Sequence, residues 1–359
     1  MALRDLASVP YLPFLSLRPA EMRALQELPD RTKDHLLPLV HLRPWTTALQ
    51  LQSALDRLNE AYGPRPTVIA VGAAEGSGSK PVHVDLARLR HKGSGYANWC
   101  DFIAKPGHEH FIPAVQLEAF DEVDQQVTCF YELGRGIVVV VPKAAYAALG
   151  AIATKIGLLT NGGVDTCFVL DEEYVANDPL ERAVFVVNHC RNIRQSCPVA
   201  SIAISGSSFP DNFKSVTAKL ILERLLFDEV ASKIGTWGMI YSDRGSARYE
   251  RQKGGGGQPA PRIDYPLPYD WRFYRSDLDG FDGYAEQARM LLRAQPSVFD
   301  PALRIWGTLM IERTAGGDSS AIKTPARSTA VRINIHLQRQ TFINDPASLY
   351  DTEDDWKGG

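Results

Sequence analysis

Short apolar runs alternate with amphipathic segments along most of the chain, the pattern of parallel strands joined by crossover helices. Seven runs read as strands, at 11–17, 36–42, 111–117, 136–141, 167–171, 199–205 and 237–242, and an eighth falls at either 67–72 or 81–86. Between them, apolar residues recur at helical spacing over 21–28, 48–62, 144–156 and 216–234. The first two strands read alike, each closing on Leu-Arg-Pro at Leu17-Arg18-Pro19 and Leu42-Arg43-Pro44, a weak internal repeat. Eight such units predict an α/β fold, a (β/α)8 TIM-type barrel. An open doubly wound sheet that bound a dinucleotide would want a glycine-rich turn straight after the first strand, and none is present.

The character changes after residue 245, so the expected division is a barrel over 1–245 and a C-terminal appendage over 246–359 packed on it. The appendage opens on a loop, 253–258, that holds four consecutive glycines and is expected to be poorly ordered, since glycines lose the most entropy on fixing. A helix at 284–294 and polar strands at 302–311 and 329–337 are expected to complete an α+β segment.

Composition adds exclusions. With 45% hydrophobic and 23% charged residues, the chain can bury a core without disulfides or metal. A formal net charge of -3 gives no global pull toward nucleic acid or anionic membranes. Five cysteines with no C-x-x-C pair fit reduced thiols in a cytoplasm. No stretch approaches the ~20 apolar residues of a membrane span, so a cytoplasmic protein without membrane contact is expected.

Several motifs together carry a resemblance: Tyr11-Leu12-Pro13, Glu21, Ala24-Leu25, Pro38-Leu39, Phe111-Ile112-Pro113, Ser208-Phe209-Pro210, Glu223, Ser242-Asp243-Arg244-Gly245, Pro261-Arg262-Ile263-Asp264-Tyr265 and Val331-Arg332-Ile333-Asn334-Ile335-His336. The chain resembles the Beta-protein family of T4-type phages and bacterial genomes over almost its whole length. That resemblance implies a phage or prophage setting and a role in phage-host conflict, with a phage or host protein as one kind of partner. Where the family often has Gly-Asp-Tyr at the end of the eighth strand, this chain has Ser242-Asp243-Arg244, so only the acid carries over. A family Gly-Asp pair appears as Gly307-Thr308, and no acidic role transfers there.

In a barrel of this type, chemistry is found at the C-terminal ends of the strands. That rule selects Arg18 and Glu21, Arg43, Asp85, Gln116 with Glu118, Lys143, Asp171 with Glu172 and Glu173, Ser205, Ser207 and Ser208, and Asp243 with Arg244. Asp171, Asp243 and Asp85 are the candidate catalytic acids. Two of them on different strands could hold a divalent metal such as magnesium, or divide general-acid and general-base work in a phosphate-ester hydrolase. Arg18, Arg43 and Arg244 suit a phosphate-bearing ligand such as a nucleotide or nucleic-acid end, because a guanidinium offers paired donors to its oxygens. Mutual ion pairing of these acids and arginines is the competing reading.

Ile204-Ser205-Gly206-Ser207-Ser208 does not match a nucleophile elbow, and Ser208 reads as a turn hydroxyl able to bind backbone or an anion. His108 and His110 alternate but precede a strand, on the end of a barrel that serves stability. Arg332, Asn334 and His336 would share one face of the expected strand, near Arg262, Tyr265 and Arg272 or on a solvated edge. Aromatic residues from Tyr265 to Tyr274 interleave with Arg262, Arg272 and Arg275, a pattern that can stack bases and grip phosphates or simply anchor a loop.

Overall fold

The computed structural model describes residues 2–45, 49–72, 80–176, 178–213, 215–235, 238–249 and 260–352. They form two compact units. The first comprises 1–18, 36–207 and 222–244, and the second 19–35, 208–221 and 245–359. The first unit thus ends beside the expected boundary at 245, while the second also draws on two segments from within 1–245.

The first unit is the barrel. Its strands are β1 (Tyr11–Ser16), β2 (Leu39–Leu42), β3 (Thr67–Val71), β4 (Phe111–Val115), β5 (Ile137–Pro142), β6 (Thr166–Tyr174), β7 (Ser201–Ser207) and β9 (Met239–Asp243), with β8 belonging to the second unit. They close in that order, each parallel to its neighbours, and β9 returns to pair with β1. Helices α3 (Leu51–Tyr62), α4 (Pro81–Leu89), α5 (Gly93–Ala104), α6 (Val123–Leu133), α7 (Leu149–Leu159), α8 (Pro179–Ser196) and α9 (Leu222–Ile234) connect them. Strands covered on both faces need apolar residues on both, which is why β5 reads Ile-Val-Val-Val-Val.

The inward positions share one core cluster, among them Leu12 and Phe14, Leu37 and Leu39, Val68 and Ala70, Cys167 and Val169, Ala203 and Ile240. Because side chains alternate across a strand, the next inward places toward the C-terminal end fall to His41, Gly72, Asp171, Ser205 and Ser242. The core therefore gives way to a polar layer at that end.

The second unit holds α1 (Pro19–Gln26), α2 (Asp30–His35), α10 (Gly280–Leu292), α11 (Trp306–Ala315), α12 (Pro325–Thr341) and an antiparallel sheet. The sheet runs β10 (Ile263–Pro266), β11 (Asp270–Tyr274), β8 (Ala218–Leu220).

Several expectations are corrected. Of the two places for the third strand, 67–72 is the strand and 81–86 lies in α4. The run 216–234 divides into β8 and α9, and the helix expected from 144 begins as a 3-10 turn, Lys143–Ala148, before α7. The stretches 302–311 and 329–337 are not strands but lie largely in α11 and α12. Helix α12 is buried on every side from Ala330 to Thr341, so it has no polar stripe to reveal a helical period. Its polar side chains are bonded inside the unit: Arg332 to Asp264 (2.6 Å), Asn334 to Ala24 (3.0 Å) and to the Gly307 amide (2.9 Å), and Thr32 to Gln338 (2.6 Å). The glycine-rich stretch 253–258 and Trp237 lie outside the described residues.

Candidate functional site

The C-terminal mouth of the barrel is built on Phe14. Its ring meets the His41 imidazole edge-on, with centroids 4.5 Å apart, and carries the Arg244 guanidinium 3.7 Å above its centre. Arg244 also pairs with Asp171. Asp171 is fixed from behind, its other oxygen accepting the Glu173 amide at 3.0 Å. Glu173 has a left-handed φ of 55°, and the β6–β7 register shifts between Asp171 and Tyr174, so the strand end is bent to hold this carboxylate inward.

His41 is surrounded by cationic side chains. Burial, then Arg244, Arg43 and Arg18 in that order, hold its proton affinity well below the ordinary value, so the imidazole is neutral near pH 7. Gly72 packs beside it, at a distance where a Cβ would be in ordinary contact with the ring, 3.4 Å from Nδ1. The hydroxyls of Ser205 and Ser242, also inward, are buried and meet no hydrogen-bond partner among the described residues.

Asp243 is at the same end of the barrel but on the other face of its wall. It accepts hydrogen bonds from Tyr11 (2.5 Å) and Tyr241 (2.7 Å), whose rings stack 5.5 Å apart. Arg224 from α9 lies 3.3 Å from the centre of the Tyr241 ring. Burial, then the Asp243 carboxylate, push both phenols well above their usual range, so they remain donors. Asp171 and Asp243 therefore do not converge. Asp85, expected at a strand end, stands on α4 and lines a cleft of about 520 Å³ with Gln52, Arg88, Asn98 and Asp101. Among the described residues, no three His, Cys, Asp or Glu side chains gather closely enough to hold a metal ion.

Glu172 faces the helices, bonded to Arg182 and to Tyr146 (2.8 Å). His108 bonds the Phe102 carbonyl at 2.6 Å and His110 meets Asn59 at 3.2 Å, which makes local contacts of both. Sequence reasoning missed His41. Its signal was a polar residue at an inward position, two after Leu39 in an apolar strand.

Gln116, which donates to the Leu89 carbonyl at 2.9 Å, and Glu118, Lys143 and Ser207 stay in the first unit, whereas Glu21, Ser208, Arg262, Tyr265 and His336 belong to the second. Glu21 is buried on α1 and Ser208 donates to the Leu220 carbonyl at 3.4 Å. Arg262 pairs with Asp264 at 2.5 Å, Tyr265 accepts from Arg339 at 3.0 Å, and His336 is buried with its ring 6.4 Å from Trp271. Arg332 and His336 lie on helix α12 rather than on one face of a strand, and Tyr265 lies on β10.

A family model described as Beta protein matches residues 11–342. The chain belongs to the Beta protein family. A relative from Enterobacteria phage P4, named Protein beta, is 25% identical over 346 residues, covering 93% of this chain and 94% of the phage protein. In this chain Asp243 is held by two phenols in the wall, while Arg244 beside it faces the mouth. Among the described residues, no helix is long and apolar enough to cross a membrane.

Proposed function

We propose that the mouth of the barrel binds a phosphate-bearing ligand, a nucleotide or a nucleic-acid end, through Arg18, Arg43 and Arg244. One observation supports this most: three arginines from the ends of β1, β2 and β9, consecutive around the closed barrel, all depress the proton affinity of one imidazole. Burial contributes most to that depression, and the three guanidiniums add to it a positive field that favours an anion. Neutral His41 and the Ser205 and Ser242 hydroxyls supply further donors within the same layer. Hydrolysis of a phosphate ester at this mouth would rest on Asp171, the candidate acid that faces inward. With a relative encoded by a phage, we place this binding in phage-host conflict.

The test is thermal melting of the full chain against polyphosphate and a panel of nucleotides. Ligand at about 100 times its Kd adds about 2.7 kcal/mol to stability, so a rise in Tm is expected. The double variant Arg43→Ala with Arg244→Ala is expected to lose that rise while still folding. If a broad panel at millimolar concentration leaves Tm unchanged, recognition of a phage or host protein through the C-terminal segment replaces this reading.

A further inference from the structure

The second unit holds a group of cations, in excess of the acids beside them among the described residues, that the barrel-mouth reading does not use. Three guanidiniums surround the ring of Phe213: Arg262 at 3.5 Å from its centre, Arg275 at 5.1 Å and Arg248 at 5.2 Å. Arg332 lies close by, 4.2 Å from Phe209, whose ring packs on Phe213. Against these four cations stand two acids among the described residues. Asp264 is shared between Arg262 and Arg332, and Asp211 lies 3.7 Å from Arg248.

Arg275 has neither acid to itself. Its Nε and Nη2 are buried and meet no hydrogen-bond partner among the described residues. Burial, then the neighbouring Arg262, lower its proton affinity, so in the ligand-free protein its charge is held at a cost.

Phe213 and Arg275 line an open cleft of about 610 Å³, together with Val216, Phe273, Met290 and Val298. Its walls are mainly apolar, with Phe273, Met290 and Val298 among the lining residues beside Ser215 and Thr217. Small-molecule sites usually measure about 300–1,000 Å³ and combine an apolar wall with a few polar anchors. Inorganic phosphate would satisfy the guanidinium but leave that wall wet, and an uncharged ring would leave the guanidinium bare.

We infer that this cleft binds a phosphate monoester that carries a ring, an aryl or nucleoside monophosphate, with the phosphate on Arg275 and the ring against the apolar wall. A guanidinium carries a permanent positive charge that suits the phosphate oxygens. Phe213 and the arginines around it fix where that charge must sit.

Isothermal titration of the full chain with phenyl phosphate, adenosine monophosphate, benzoate and inorganic phosphate tests the assignment. Both ring-bearing phosphates should bind more tightly than inorganic phosphate and benzoate. Arg275→Gln should weaken them at least about tenfold, the loss expected for a charge-assisted pair. The same substitution should raise the ligand-free Tm, because it removes a repelled cation, and this separates a binding role from misfolding. Equal affinity in wild type and Arg275→Gln, or no binding at about 10 mM, overturns the inference, as does tighter binding of benzoate, which would make the head group a carboxylate. The titration is repeated on Arg43→Ala with Arg244→Ala. Persistence there assigns the binding to this cleft, whereas loss would move it to the barrel and end the proposal whether or not the barrel reading stands.

Discussion

Arg244, the residue after the last barrel strand, pairs with Asp171 on β6 although β7 lies between the two strands, and it does so with its guanidinium over Phe14 of β1. One side chain thus ties three strands across the mouth. Asp171→Asn keeps the shape and removes the charge, leaving a largely buried guanidinium without this carboxylate. The expected cost is about 3 kcal/mol, measured as a lower urea midpoint. If the mouth takes an anion, the same variant should show a larger stabilisation by polyphosphate than wild type, because a competing negative charge is gone.

Asp243→Ala should behave differently. It leaves the Tyr11 and Tyr241 hydroxyls unsatisfied in a dry wall, a loss of about 2–4 kcal/mol. The stabilisation that polyphosphate adds should not change, since Asp243 faces away from the mouth. A selective loss of that stabilisation in a folded Asp243 variant would show that the wall acid takes part in the site.

His41 predicts a pH dependence. Its folded proton affinity lies below the ordinary value of 6.5, so the unfolded chain binds the proton more readily. Stability is therefore complete above about pH 6.5 and falls as the pH drops from there toward the depressed folded value. Denaturation midpoints compared from pH 7.5 to 5 should show a shallower acid loss in His41→Gln than in wild type. Parallel profiles would mean that the imidazole is not screened from protons as described.

Gly307→Ala tests the close approach of α11 and α12. A Cβ there would meet Ile335 Cγ1 at 2.7 Å, Asn334 Oδ1 at 2.9 Å and the Val331 carbonyl at 3.0 Å. Overpacking of this kind costs about 1–3 kcal/mol. Hydrogen exchange should locate the loss in α11 and α12, and an unchanged melting temperature would show that the helices can part at no cost.

The barrel was legible because parallel strands covered on both faces become continuous apolar runs, and because Arg18 and Arg43 close two of those runs in the same way. The inward or outward sense of Asp243 was not legible. Side chains alternate, so a shift of one residue in parity sends Ser242 inward and Asp243 outward, and nothing in the local sequence fixes that parity. Helix α12 was misread for a related reason. Val331, Ile333, Ile335 and Leu337 alternate with polar residues as a strand would, yet the helix buries both sets and bonds the polar ones individually. Thr324 and Pro325 were the available signal, a side-chain cap followed by proline at the first helical position. Asp85 was misplaced because the strand-like run at 81–86 belongs to α4.

The way the second unit is assembled sets an order of events during synthesis. The chain leaves the barrel unit at Arg18, at Ser207 and at Arg244, each time just after a barrel strand. Once β9 has emerged from the ribosome, every barrel strand is free and the sheet can close on β1. Thr32, by contrast, must wait for Gln338, which is 306 residues further along, and Ala24 waits 310 residues for Asn334. A ribosome stalled near residue 245 would therefore carry a complete set of barrel strands with α1 and α2 still lacking the helix around which their unit is built. The contacts that join α1 and α2 to α12 therefore form only after α12 has been made.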